Sequence, residues 1–219
     1  MPIMSVDVEC VATGYGHSDH SVCRVAVVDE NERVLLNEYV KPEGRIVSYL
    51  TPVTGVREKD LDDAKSLETV LTQVYALLSP DVTLVGQAVA NDIAWLQLTE
   101  GVHYKDVIDL AQVFAAYNPR YKDMSYFTLQ HEANTLLGGA GLIDASPHNP
   151  ANDGIAAIRL YKKYCVESPH LLESAKQQLL RNRPPPNFGK QHNYQYEGIC
   201  LAAFYPAKCS CGQLTKKTN

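Results

Sequence analysis

Residues Ile3 to Val11 alternate with a period of two, and this constrains the fold before anything else is read. Met4, Val6, Val8 and Cys10 fall on one face, and Asp7 and Glu9 on the other. The pattern predicts a strand with an apolar face against a core and two carboxylates side by side on the opposite face. Val22 to Val28 is β-branched and apolar, Asp29-Glu30-Asn31-Glu32 reads as a polar turn, and Arg33 to Val40 continues as a strand. Connections this short favour an antiparallel meander.

The pattern then changes. Ser66 is a fitting N-cap for a helix in which Leu67, Val70, Leu71, Val74, Leu77 and Leu78 recur at helical spacing, and Pro80 ends it. Val82 to Gly86 reads as a short strand, Asn91 to Leu98 as a helix, Val107 to Leu110 as a strand and Ala111 to Ala116 as a helix. Ser125 to Leu137 is expected to be helical and to stop at Gly138-Gly139. Asn149 caps a helix with Pro150 at its first position, running to about Cys165, and a last helix spans Ser168 to about Asn182. Three antiparallel strands followed by alternating helices and strands predict an α/β fold: one mixed sheet with helices on both faces.

The chain has 219 residues, enough for one α/β domain that buries roughly 70% of its unfolded surface. A domain over residues 1–182 is expected, then a stiff break at Arg183-Pro184-Pro185-Pro186, then a tail over 183–219 that carries Cys and His. The formal net charge of −5 argues against holding long nucleic acid by charge alone, but leaves room for a short stretch bound at a local site with metal ions. No apolar run is long enough to span a membrane, and the first residues do not read as a signal peptide. Six cysteines without a secretion signal fit a reducing, intracellular setting, cytoplasmic or nuclear.

Several carboxylates stand out. Asp7 and Glu9 share a strand face and repel one another, which a divalent cation would offset; a solvated edge strand is the plainer reading. Asp92 opens a helix after an apolar strand, where the helix dipole favours an acid and where α/β sites collect. His148 and Asp153 would lie about 140° apart on one continuous helix. Pro147 and Pro150 instead put His148 on a loop and Asp153 in the first helical turn. A loop histidine beside a helix-anchored acid suits proton transfer next to a metal. Asp109 is either a further ligand or an acid capping the next segment.

Together these segments resemble the motifs of DEDDh 3′→5′ exonucleases. SVDVECVATGYG resembles the first motif, LVGQAVANDIAWL the second and HNPANDGIAAIRLY the third. YVKPEGRIVSYLTPVTGVREKDLDDAKSLETV and VIDLAQVF resemble the corresponding stretches of eukaryotic Rex-type RNA exonucleases and of the nuclease domain of the poly(A)-specific deadenylase. The resemblance spans roughly residues 4–165. It implies an RNase H-like fold, two divalent ions and release of 5′-mononucleotides from a 3′ end. By position, Asp7, Glu9 and Asp153 would hold one metal, Asp7 and Asp92 the other, and His148 would act as general base. An all-oxygen carboxylate site suits Mg²⁺ or Mn²⁺. Cys10 and Val11 would meet the terminal nucleotide, and Tyr126 and Phe127 either stack on a base or pack in the core.

Two positions depart from the family pattern. Gln87 stands where Rex-type enzymes usually carry histidine, with an expected effect on substrate contact. Gly154 stands where alanine is usual and is expected to loosen the helix start.

In the tail, His192, Cys200, Cys209 and Cys211 have the ligand types of a structural zinc site, although Cys-x-Cys is tighter than the usual spacing; free thiols are the other reading. Lys208, Lys216 and Lys217 make the tail locally positive and suited to guiding RNA. The substrate expected is an RNA 3′ end. A DNA exonuclease uses the same acids, and a non-catalytic RNase H-like interaction module would tend to have lost some of them.

Overall fold

The computed structural model describes residues 2–138, 147–184 and 186–215. Gly139, Pro185, Lys216 and Lys217 lie outside the described residues. Strands β1 (Ile3–Ala12), β2 (His20–Asp29) and β3 (Val34–Tyr39) form the expected meander. A short helix α1 (Thr51–Thr54) precedes α2 (Leu67–Leu77), whose N-terminus is capped by the Ser66 side chain. Strand β4 (Thr83–Gly86), helix α3 (Ala90–Trp95), strand β5 (Asp106–Asp109) and helix α4 (Leu110–Val113) follow.

The sheet order is β3-β2-β1-β4-β5. β2 pairs antiparallel with both β1 and β3, while β1–β4 and β4–β5 are parallel. β1 is therefore central, and whatever it carries is surrounded by protein on both edges. Alternation splits the core into two layers. Val6, Val27 and Leu84 face a layer with Val70, Leu71 and Val74 of α2, whereas Val28 and Val85 face a layer with Ala157, Ile158 and Leu160 further along the chain. This is the mixed sheet covered on both faces that the sequence predicts.

The second layer is built by α5 (Leu129–Leu136), α6 (Pro150–Tyr161) and α7 (Leu172–Arg181). Ahead of α5, the structure differs from the expected helix over 125–137. Ser125 instead ends a small hairpin of β6 (Ala116–Asn118) with β7 (Asp123–Ser125), and residues 126–128 are not helical. The side chain of Asn118 accepts from the Arg120 backbone and donates to Ser125 Oγ, so a local polar turn closes the hairpin and holds Ser125 out of the helix. Thr128 then caps α5 by accepting from the His131 backbone. The expected helix over 91–98 is cut to α3 because Gln97 turns left-handed at φ 52°. Among the described residues no helix is long and apolar enough to cross a membrane.

Beyond the Pro-rich break, α8 (Phe188–Gln191) and the two-residue strands β8 (Gln195–Tyr196) and β9 (Ile199–Cys200) fold back onto the sheet. Ile199 is fully buried with Ala12 and Leu50, and the Cys200 backbone donates to the Tyr15 carbonyl at 2.9 Å.

α6 is continuous through Gly154, so the expected loosening does not occur. A Cβ added at Gly154 would meet Val28 Cγ2 at 2.8 Å. The glycine is there because α6 presses directly on β2. Arg159 holds the far end of the same helix, bonding Glu32 in the β2–β3 turn through Nε (2.9 Å) and Nη2 (2.6 Å). Helix propensity alone predicts that Gly154→Ala stabilises; the packing predicts that it destabilises by about 1–3 kcal/mol. A urea unfolding midpoint at or above that of the parent chain would contradict the packing argument.

Candidate active site

β1 delivers Asp7 and Glu9 to the face covered by α6. Asp7 opposes Ala26 on β2, and the pairing register shifts between Glu9 and Cys10. A bulge at that point re-aims the strand just beyond the two acids. Glu9 is 8% exposed, and Asp7 retains a partial opening to solvent.

The second element is the β4–α3 corner. Asp92, in the first turn of α3, accepts a 3.0 Å hydrogen bond from the backbone N–H of Val8, the residue between the two strand acids. That bond fixes the Asp92 carboxyl against β1. The third element is α6. Asn149 caps it by accepting from Ala151 N, Pro150 occupies the first helical position, and Asp153 sits in the first turn, 5% exposed.

His148 lies on the preceding loop, as the two flanking prolines predict. Its backbone N–H donates to the Val53 carbonyl of α1 at 2.7 Å. Gly55, at φ 71°, admits the loop closely: a Cβ there would meet the His148 carbonyl at 3.2 Å. His148 Nδ1 then lies 3.2 Å from Asp153 Oδ2, with the imidazole partly open to solvent. The ligand atoms of Glu9, His148 and Asp153 all lie within 4.8 Å of one another.

The electrostatics follow from crowding acids in a protein interior. Burial, then the charges of Asp92, Asp153 and Glu9, holds the Asp7 carboxyl well above the usual range. Burial pushes Glu9 up to about 8, against the opposing pull of His148. Asp92 is raised to about 7, again chiefly by burial, despite accepting from its own backbone N–H and that of Val8. Asp153 raises the pKa of His148 through their hydrogen bond, which favours the charged imidazolium. Four carboxylates and one imidazole thus converge with little positive charge among them. Such an oxygen-rich set fits hard divalent cations.

The flanking residues sort clearly. Asp109 is a capping acid: its Oδ1 accepts from Ala88 N and Ala111 N, both at 2.9 Å. The Val11 side chain is fully buried beside Cys23, Val56 and Leu61, so contact with a nucleotide is open to its backbone alone. Cys10 is half-buried against the α2-side core. Phe127 packs with the α6-side core, and Tyr126 is exposed. Gln87 is half-buried. Its Nε2 donates to the Phe127 carbonyl at 2.7 Å and approaches Glu132 Oε1 at 3.4 Å.

In the tail, the expected ligand set needs one correction. Cys200, Cys209 and Cys211 do come together, but His192 is not with them. It lies tilted against Phe188 at 4.2 Å between ring centroids and meets Tyr196 edge-on, held at the end of α8 by aromatic packing. The histidine among the thiols is His17, from the β1–β2 connection. No local spacing joins residue 17 to residue 200, so the sequence offered no signal for this partner.

A comparison with known families matches the RNase_T exonuclease model over residues 4–139, more than half of the chain. The chain belongs to this exonuclease family. Among curated relatives, small RNA degrading nuclease 2 of Arabidopsis thaliana is 30% identical over 198 residues, covering 84% of this chain and 41% of its own. RNA exonuclease 4 of Mycosarcoma maydis is 28% identical over 171 residues, covering 78% of this chain and 44% of its own. The chain therefore spans less than half the length of these two relatives. Among solved structures, the Saccharomyces cerevisiae Pan2 pseudoubiquitin hydrolase–RNA exonuclease module superposes with a TM-score of 0.67 at 20% identity, covering 89% of this chain and 32% of that one. At that identity the likeness is one of fold, and it fits the sheet described above.

Glu132, which sequence reasoning did not single out, is a second consequence of the same geometry. It is fully buried on α5, its Oε2 has no hydrogen-bond partner among the described residues, and burial pushes its carboxyl up to about 9. A carboxyl whose folded pKa exceeds its unfolded value of 4.5 stabilises the fold most below pH 4.5. That contribution drains away as pH rises through about 9. Glu132→Gln is expected to flatten the decline in stability between pH 6 and 9, read as urea midpoints in chelator. The slope left over belongs to Asp7, Glu9 and Asp92, which are shifted in the same direction. Parallel midpoint curves for the two proteins would mean that Glu132 is not neutral in the fold.

Proposed function

We propose that the chain is a metal-dependent 3′→5′ exonuclease that releases 5′-mononucleotides from single-stranded RNA 3′ ends. One observation carries the reading. His148 is paired to Asp153 beside Glu9, while Asp7 and Asp92 act on the same point from β1 and α3. The relatives, an RNA exonuclease and a small RNA degrading nuclease, favour RNA over DNA. Six free cysteines fit a reducing compartment, so the proposed setting is intracellular, cytoplasmic or nuclear.

Asp7, Glu9, Asp92 and Asp153 would hold two divalent ions, Mg²⁺ or Mn²⁺. Bound there, such ions would activate water for in-line attack and stabilise the leaving 3′ oxygen. The rest is the chain's own work. The Val8 N–H holds Asp92 in place, and the α6 cap and Pro150 hold Asp153. Asp153 accepts from His148 Nδ1, which leaves Nε2 to take the proton of the attacking water. As the water oxygen bonds to phosphorus, the bond to the 3′ oxygen breaks and a 5′-mononucleotide leaves. The bulge after Glu9 and the exposed Tyr126 offer backbone and ring surface for the terminal nucleotides.

The reading is tested with RNA and DNA oligonucleotides labelled at either end, with and without Mn²⁺. Loss of the 3′ label as a mononucleotide, faster from RNA and abolished by chelator, is expected. Equal rates on DNA would remove the RNA preference, and digestion that persists in chelator would remove the metal. Asp7→Asn and Asp153→Asn should abolish release while keeping the thermal unfolding transition.

His148→Ala should lower turnover by about 10²–10⁴-fold. A base must be unprotonated to act, and the Asp153 contact raises the His148 pKa above 6.5. The parent rate should therefore climb with pH through a value above 6.5, and that limb should vanish in the variant. A variant with the parent's rate and profile would exclude His148 as the base.

A further inference from the structure

The structure assigns a second metal site, remote in chemistry from the carboxylates: a tetrahedral zinc centre made by His17, Cys200, Cys209 and Cys211 that clamps the C-terminal tail to the β1–β2 connection. Tetrahedral zinc with ordinary bond lengths requires sulfur–sulfur edges of about 3.8 Å and nitrogen–sulfur edges of about 3.6 Å. His17 Nδ1 lies 3.8 Å from Cys200 Sγ, 3.7 Å from Cys209 Sγ and 3.2 Å from Cys211 Sγ. Cys209 and Cys211 sulfurs are 3.6 Å apart, and all four ligand atoms fall within 4.8 Å of one another. Four of the six edges thus lie within about 0.4 Å of those values, and the other two are no longer than 4.8 Å.

Independent features point the same way. His17 Nε2 lies 3.0 Å from the Leu214 carbonyl, which can only accept. The ring proton is therefore on Nε2, and the Nδ1 lone pair faces the three sulfurs. This is the outer partner that zinc-bound histidines usually have. The backbone of Ala202, Ser210, Cys211, Gly212 and Gln213 closes around the three sulfurs, and Cys209 Sγ lies 3.7 Å from the Gln213 carbonyl. Cys209 and Cys211 converge despite the tight Cys-x-Cys spacing, and Gly212, at φ 74°, turns the chain just after the pair. Binding would exchange up to three thiol protons for one Zn²⁺, with no change of oxidation state.

The clamp joins parts of the chain 183 residues apart. It seats Ile199 against Ala12 and Leu50, at the foot of α1, whose Val53 carbonyl receives the His148 backbone. The tail thereby becomes part of the wall behind the catalytic loop.

Metal analysis of the full chain, purified with reductant after growth in zinc, should find one zinc per chain. His17→Ala and Cys209→Ser should lose it, while His192→Ala and Asp153→Asn should keep it. The last variant separates this centre from the carboxylate site, whatever becomes of the nuclease reading. Cobalt exchanged into the parent protein should show visible bands and thiolate-to-cobalt charge transfer in the ultraviolet. Should the His17 and Cys209 variants fail to fold, the parent decides by thiol titration. Three thiols should be protected until a strong chelator is added. Absence of stoichiometric zinc, retention of zinc in folded His17→Ala, a Cys209–Cys211 disulfide, or three thiols reactive before chelation would each overturn the assignment.

Discussion

Repulsion among carboxylates that the fold forces together is the condition the rest of the structure answers to. β1 runs between β2 and β4, so Asp7 and Glu9 stand on an inner strand of the sheet and not on its edge. α6 lays Asp153 over them, and α3 brings Asp92 alongside. Burial first, and then the neighbouring acids, raises the pKa values of Asp7, Glu9 and Asp92. A divalent cation bound there would offset both, and the ligand atoms of Glu9, His148 and Asp153 already lie within 4.8 Å of one another.

Everything around the acids serves to keep them from relaxing. The Val8 N–H ties Asp92 to the strand. Gly154 allows α6 to lie flat on β2, and Arg159 fastens its other end to the β2–β3 turn. His148 is held by a carbonyl of α1 on its backbone side and by Asp153 on its ring side. α1 rests in turn on a small apolar cluster shared with the C-terminal tail, through Leu50 and Ile199. The site is thus supported by segments from both ends of the chain.

Much of this was legible in the sequence, and the reasons are specific. The period-two alternation over 3–11 placed Asp7 and Glu9 on one face, and the Asn149–Pro150 pair marked the start of α6. Pro147 and Pro150 put His148 on a loop, where it is found. Local signals failed where two local structures competed. Ser125 reads as a helix start, but it ends a hairpin whose turn Asn118 satisfies, and Thr128 caps α5 three residues later. Gly154 looked like a weak helix former because propensity has no knowledge of the Val28 methyl beneath it.

By itself, the sequence determined the strand and helix periodicities, the identity and order of the five motif residues, and the family to which they belong. These are encoded in neighbours a few residues apart, where chain geometry leaves little choice. Only the tertiary structure decided which groups meet across the sheet. It gave the tail cysteines His17 in place of His192 and turned Gln87 inward toward Glu132. It also made Asp109 a cap. Those contacts depend on how far apart the sheet holds its strands and how closely α6 and the tail approach. Packing sets both distances, and no run of neighbouring residues records them.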